Sequence, residues 1–285
     1  MRKLTALLVV ASAAALAIGL VPAGAVQYGQ PDGNGHPFVG LVVFHEDGIP
    51  LWRCTGTLID ADSFLTAGHC AGADPFIPAE PDHAEIWFAP GPIPLGAGYP
   101  APGPNPCAGI TGYPCTGDVG GTPIAHPDFD FFSDFPNTHD VGVVELDTPV
   151  TDKGFASIVP LGYLDKLSTR RGQQDTRFTV VGYGLQSVKP VLSAERTRMV
   201  AEVQLVNLRS ALTDGFNIQT TESPGKGNGS GGTCFGDSGG PLFAGSSNMI
   251  AGITSFGLNQ NCKGAGFYFR TDIADAQNFI NQFLD

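Results

Sequence analysis

Apolar residues in this chain come in short bursts separated by turn formers. Residues 38–44 (FVGLVVF), 54–59, 84–89 (AEIWFA) and 141–146 (VGVVEL) form one group; residues 178–183 (FTVVGY), 198–206, 249–255 and 267–270 form another. Each burst is rich in Val, Ile or aromatic residues, which suit a pleated, half-buried surface, and each is bounded by turn residues. They predict β-strands in two halves. A connector over about 147–174 lies between them, with Pro149, Pro160 and a charged patch at residues 168–171. Residues 90–123 form a Gly/Pro-rich insertion holding Cys107 and Cys115, which reads as a surface loop closed by its own short disulfide. A second Gly-rich run at 225–232 is another loop. Only the end changes period. After Thr271, placed as an N-cap, Ile273, Ala276, Phe279, Ile280, Phe283 and Leu284 recur at helical spacing, predicting a terminal amphipathic helix over about 272–284. No repeat of fixed period interrupts this pattern.

The first residues follow a different logic. Arg2 and Lys3 precede an apolar or small run from Leu4 to Leu20, and Ala23-Gly24-Ala25 fits the small-x-small cleavage rule of an export signal. A transmembrane anchor would need a longer run and a basic stop-transfer cluster, and neither follows. Cleavage after Ala25 leaves residues 26–285, a chain of 260 residues expected outside the cell and free of the membrane. With the leader go two positive charges and no acid, so a net charge of -12 becomes -14. Such acidity argues against a nucleic-acid partner, which needs clustered Lys and Arg. The 39 Gly and 23 Pro disfavour long helices and favour strands joined by many turns. In an oxidising compartment the six Cys are expected to pair.

Three segments carry chemistry: Leu65-Thr66-Ala67-Gly68-His69-Cys70, then Thr138-His139-Asp140-Val141-Gly142, then Cys234-Phe235-Gly236-Asp237-Ser238-Gly239-Gly240-Pro241. A serine hydroxyl is a weak nucleophile and needs an adjacent base. An imidazole serves as that base near neutral pH, and needs an acceptor on its other nitrogen to hold the tautomer. These segments, in this order, resemble the chymotrypsin/trypsin family of secreted serine endopeptidases, in particular its bacterial-type members. The resemblance runs over about 26–285, with residues 71–121 outside easy alignment. It implies an all-β fold of two antiparallel six-stranded barrels, about 26–150 and 170–270, followed by the helix. It implies His69 as general base, Asp140 as its orienting acid and Ser238 as nucleophile. The backbone N–H groups of Gly236 and Ser238 would form the oxyanion hole. Cys54 and Cys70 match the family's disulfide beside the catalytic His, and Cys234 and Cys262 the one beside the primary pocket. Cys107–Cys115 is left by subtraction. The substrate is a protein or peptide, no cofactor is needed, and the chain is expected to be a monomer.

Other readings of these residues meet obstacles in the sequence. Gly236-Asp237-Ser238-Gly239-Gly240 also satisfies the G-x-S-x-G elbow of α/β-hydrolases, which need a His after the Ser; none of the six His follows Ser238. A subtilisin-like order would need Asp60 or Asp62 to serve, against the strand-rich context. A zinc site from His45, His69, His83, His126 and His139 lacks H-E-x-x-H or C-x-x-C spacing, so no metal is expected. His139 reads as a solvated or hydrogen-bonded neighbour of Asp140 and His126 as a loop residue preceding the acid. A silent binding protein on the same scaffold would normally have lost a triad member, and all three are present.

The resemblance extends to activation and specificity. In the family a freshly cut apolar N-terminus places its ammonium against the Asp before the nucleophile, here Asp237; cleavage after Ala25 would offer Val26. The position six before Ser238 is Gly232, followed by Thr233. The opposite wall maps to Ser255, Phe256 and Gly257, and the far side to Gly266. With Gly at 257 and 266 and no charge, the slot is expected to be open and neutral and to take Phe, Tyr, Leu or Met. The residue matching the pocket His of glutamate-selective relatives is Thr254. No EF-hand pattern for calcium is present. Asn228-Gly229-Ser230 is a glycosylation sequon.

Overall fold

The computed structural model describes residues 26–75, 79–167, 175–222 and 231–284. The leader, the charged patch at 168–171 and the sequon therefore lie outside the described residues. In chain order the strands are β1 (Gln30–Pro31), β2 (Val39–Glu46), β3 (Ile49–Leu58), β4 (Ser63–Thr66), β5 (His83–Trp87), β6 (Val119–Ala125) and β7 (Gly142–Leu146). They continue as β8 (Ser157–Ile158), β9 (Arg177–Gly182), β10 (Met199–Asn207), β11 (Asn217–Thr221), β12 (Pro241–Ala244), β13 (Met249–Gly257) and β14 (Ala265–Arg270). One helical turn, α1 (Gly68–Ala71), follows β4, and α2 (Ala274–Ile280) ends the fold.

The strands close two six-stranded antiparallel barrels. The first runs β2-β3-β4-β7-β6-β5, with β2 returning to β5. The second runs β9-β10-β11-β14-β13-β12, closed by β12 on β9. Two short strands decorate the second barrel: β1 adds to β10, and β8 pairs β13 in parallel. Barrel interiors fill with alternate side chains. Val42, Phe44, Phe64, Ile86 and Val144 share one face of the first, while Phe178, Val180, Val203, Ile218 and Leu242 share one face of the second.

Eight of these strands coincide with the apolar bursts. The four others in the barrels have physical reasons to be quiet in sequence. β4 and β12 have only four residues each, β11 (NIQTT) is mostly polar, and β6 carries Gly120, Gly121 and Pro123. β6 also shortens the Gly/Pro-rich insertion, whose last residues belong to a barrel strand. The N-cap assignment of Thr271 is corrected. The cap position of α2 is Ile273, with no side-chain bond, and buried Thr271 donates its hydroxyl to Ile250 O at 2.7 Å. Ala276, Phe279 and Ile280 face inward as the helical spacing predicts.

A fully buried cation, Arg198, ties the pieces together. Its Nε meets Asp32 Oδ2 at 2.9 Å, its Nη1 donates to Val39 O and Phe88 O of the first barrel at 3.0 Å each, and its Nη2 donates to Gly33 O at 2.8 Å. The segment leading from Val26 is thereby fixed where the two barrels meet.

Candidate active site

The crevice between the barrels gathers the three segments. α1 presents His69, and it is anchored twice: the Cys54–Cys70 disulfide fastens it to β3, and Trp52 Nε1 donates to Cys70 O at 2.9 Å. Asp140 sits just before β7 with no exposed surface. Its Oδ1 accepts the His69 backbone N–H at 2.8 Å, and its Oδ2 lies 2.9 Å from His69 Nδ1. Ser255 Oγ donates to the same Oδ2. Burial alone would lower the imidazole, but the Asp140 carboxylate outweighs it and Asp74 adds to it, so His69 is raised above 6.5. With its Nδ1 held by Asp140, His69 lines a cavity of about 540 Å³ that Ser238 also lines. Among the described residues no hydrogen bond joins Ser238 Oγ to His69. Such contacts are often long before a substrate tightens them.

The loop around Ser238 is shaped by glycine. Gly236 and Gly239 have φ of 95° and 79°, in the region L side chains avoid. A Cβ at 239 would also lie 2.1 Å from Thr66 Oγ1. The loop is braced from both barrels: Thr55 N–H donates to Ser238 O at 2.8 Å, Thr55 Oγ1 to Gly236 O at 2.8 Å, and Gly239 N–H to Thr254 O at 2.8 Å. The N–H groups of Gly236 and Ser238, in contrast, have no protein acceptor among the described residues. Two unspent donors on a braced loop can receive an oxyanion without reorganisation.

Asp237 points the other way, into the second barrel, and is fully buried. Gly184 N–H donates to Oδ1 at 2.8 Å and Cys234 N–H to Oδ2 at 2.9 Å. Burial pushes its carboxyl up to about 7 against those two bonds and the more distant Arg53. Among the described residues no cation lies within ion-pair distance of it. Val26 is buried in the same barrel, and Gln27 O accepts Gly232 N–H at 3.0 Å, which places the N-terminal segment beside the pocket wall.

The pocket contains a residue the sequence reading missed. Thr233, Ser255, Phe256, Gly257 and Gly266 line the cavity, but so does Glu222, at the end of β11. Glu222 is 2% exposed. Tyr268 Oη donates to its Oε1 at 2.8 Å, and Thr233 Oγ1 lies 3.2 and 3.3 Å from its two oxygens. Burial pushes the carboxyl up to about 8; the hydroxyl donors pull it back only in part, and Asp237 adds to the rise. The expectation of a slot without charge is therefore corrected. The glycines explain how the acid fits: a Cβ at Gly266 would lie 1.7 Å from Oε1, and one at Gly232 would lie 2.2 Å from Oε2. The empty volume read as an open slot is partly filled by a carboxylate. The available signal was a lone Glu ending a polar strand across from two glycines.

Aromatic side chains extend the site beyond the pocket. The Phe132 ring lies 6.2 Å from His69 and 5.9 Å from Phe256, and Phe135 lies 5.6 Å from Phe256. Phe256 in turn stacks on Phe267 at 4.6 Å.

A second cluster lies behind Asp140. His139 takes the hydrogen-bonded alternative: its Nδ1 is 2.7 Å from Asp275 and its Nε2 2.9 Å from Asn137 Nδ2. His126 is buried, with Nδ1 accepting the Asp128 N–H at 3.1 Å and Nε2 3.6 Å from Asp275. Ligand atoms of His126, Asp128, His139 and Asp275 come within 4.8 Å of one another, as would be needed to share an ion. Both imidazoles already have protein partners on each nitrogen, so the cluster reads as a hydrogen-bonded brace between the Asp140 loop and α2. The three disulfides present are Cys54–Cys70, Cys107–Cys115 and Cys234–Cys262.

Comparison with known proteins accords with this geometry. The pattern defining the Trypsin family matches residues 116–280. Brachyurin of Leptuca pugilator is 32% identical over 159 residues, which is 54% of this chain and 61% of that protein, so the match spans less than two thirds of the relative. That relative is an arthropod protein, and nothing in the matches supports a bacterial-type subgroup. Among solved structures, HL collagenase superposes with a TM-score of 0.61 at 18% identity, covering 91% of this chain and 97% of that one. A mutant of human heparin binding protein gives 0.55 at 18% identity over 88% and 93%, and neuropsin, a serine protease expressed in mouse brain, gives 0.55 at 18% over 89% and 96%. At such identities the structural likeness concerns the fold.

Proposed function

The chain belongs to the Trypsin family, and from that premise we propose that it is a secreted serine endopeptidase that hydrolyses protein or peptide substrates through an acyl-enzyme. The observation that carries this reading is the bonding of His69 Nδ1 to buried Asp140 while Ser238 lines the same cavity as His69. In the first half-reaction Ser238 Oγ attacks the scissile carbonyl and His69 Nε2 takes its proton. The developing oxyanion is received by the N–H groups of Gly236 and Ser238, and His69 then protonates the leaving amine. Water repeats the sequence on the acyl group and frees Ser238. Bond making and breaking fall to Ser238 and water, with proton transfers through His69, and these steps call on no metal or cofactor.

The proposal includes how the enzyme becomes active. Residues 1–25 act as an export signal, and the protease unit is residues 26–285, working as a monomer outside the cell. No described helix is long and apolar enough to cross a membrane. Cleavage before Val26 supplies an ammonium group for buried Asp237, whose need for a cation is otherwise unmet. Glu222 in the pocket wall favours a cationic substrate side chain over the large apolar one expected from the glycines.

The test is covalent labelling. The secreted protein is treated with a fluorophosphonate and digested for mass spectrometry. Modification at Ser238, its absence in Ser238→Ala, and parallel loss of peptide hydrolysis are expected. An unlabelled wild-type protein whose N-terminus is Val26 would instead favour a silent binding protein on this scaffold.

A further inference from the structure

Glu222 is a buried acid for which the acyl-transfer chemistry has no use. It stands apart from the residues that make and break bonds, it borders the cavity shared by His69 and Ser238, and two glycines leave the volume its carboxylate occupies. Its described partners are the hydroxyls of Tyr268 and Thr233 and the backbone N–H of Thr233. No described cation lies within ion-pair distance. Lys263 lines the cavity as well, but it is exposed, and its charge is screened by water. The other acid nearby, Asp237, repels rather than pairs.

We infer that Glu222 is the specificity-determining residue of the primary pocket, and that the pocket takes a cationic side chain, Lys or Arg, on the amino side of the scissile bond. This inference rests on the endopeptidase reading above. Its physical basis is the attraction that a buried carboxylate offers a cation in a dry pocket. An apolar side chain entering the pocket would seal the carboxyl beneath hydrocarbon as a neutral group and draw no attraction from it. A Lys or Arg side chain brings the missing cation, and its methylene stem lies along the apolar walls near Phe256. The acid reaches the pocket floor from β11. The position six before the nucleophile, Gly232, contributes only the absence of a side chain.

The ionisation of Glu222 makes a second mark. The groups facing it are Tyr268 from β14, Thr233 and Asp237 from the nucleophile loop, and Lys263 at the rim. With an empty pocket burial holds the carboxyl up to about 8. A bound cation favours the charged form, so cation binding releases a proton and strengthens as pH rises towards 8.

The experiment uses the mature secreted chain. Rates per titrated active site are measured on a peptide panel differing only in Arg, Lys, Phe, Leu or Glu before the scissile bond, for wild type and Glu222→Gln. Wild type is expected to prefer Arg or Lys, and the variant to lose about 100-fold or more in the ratio of Arg or Lys to Phe. Benzamidine, an aromatic amidinium, is titrated in parallel into Ser238→Ala, which reports on the pocket without catalysis. Its affinity should rise between pH 6 and about 8. Wild type preferring Phe or Leu, or an unchanged ratio in Glu222→Gln, overturns the inference. If the variant does not fold, the wild-type preference and the benzamidine titration decide. Failure of fluorophosphonate to label Ser238 would instead count against the endopeptidase reading, while benzamidine binding to Ser238→Ala would still report on Glu222.

Discussion

Replacing Arg198 by Met is the sharpest test of how this fold is held. Methionine keeps much of the length and apolar volume of the side chain but removes the charge and every donor. Asp32, with 2% of its side chain exposed, would then lose the guanidinium that faces it at 2.9 Å. The carbonyls of Val39, Phe88 and Gly33 would lose their Arg198 donors in the same step. Breaking a buried pair by removing one partner costs about 3–5 kcal/mol where the remaining charge is stranded; Asp32 keeps its bonds from His36, 2.6 Å from the imidazole and 2.9 Å from the backbone N–H, so the expected loss lies at the low end, about 3 kcal/mol. For a domain of this size each kcal/mol lowers Tm by roughly 2–4 °C, so the expected fall is roughly 6–12 °C. The pair also leaves a signature in pH. Burial pushes Asp32 up, but the bonds from His36 and Arg198 outweigh it and the net value is lowered below 3.8. A lowered carboxyl contributes stability that is present above 3.8 and lost as pH falls through its folded value. Arg198→Met should therefore lower the plateau of the stability curve and flatten its acid limb only in small part, because His36 supplies the larger share of the lowering. Urea unfolding from pH 3 to 7, with Asp32→Asn and the double variant completing a cycle, measures both effects. A loss below about 1 kcal/mol, or strictly additive single variants, would refute the account.

Two further outcomes follow from the same geometry. Asp140→Asn should fold normally yet lose about 10⁴ in kcat, because His69 would no longer be held in the productive tautomer; in wild type, kcat/KM should fall as pH drops through a His69 value raised above 6.5. A precursor blocked from cleavage before Val26 should lose stability as pH rises from about 4 to 7, since the raised Asp237 carboxyl favours the folded state only while protonated, whereas the mature chain, with an ammonium on Asp237, should not; equal pH profiles for the two forms would show that Val26 does not serve Asp237.

How much of this was legible in the sequence depends on where the information is stored. Strands buried on an apolar face announce themselves, as in residues 38–44, which form most of β2. Strands that are short, or whose polar positions are satisfied by partners, do not. β11 reads as loop until Thr220 and Asn217 are seen buried against β14 and Pro136 O takes the Asn217 amide. Arg198 looks like the polar start of a strand. Its full burial is decided by Asp32, Val39 and Phe88, which come from three other stretches of chain.

The same distinction divides the site. His69, Asp140 and Ser238 were readable because catalysis needs particular residue types, and each sits in a local motif whose small residues shape its turn. Specificity needs only a charge at a place, and a place can be reached from more than one strand. A reading confined to the positions flanking Ser238 finds Gly232 and Gly266 and concludes that the slot is open and neutral. The structure gives these glycines a different meaning: each is small because Glu222 stands where its Cβ would be, at 2.2 and 1.7 Å. A glycine in a pocket wall thus carries two opposite messages, room for a ligand or room for a neighbour. Only the third dimension separates them. Here the neighbour is an acid, and the two readings predict substrates of opposite character.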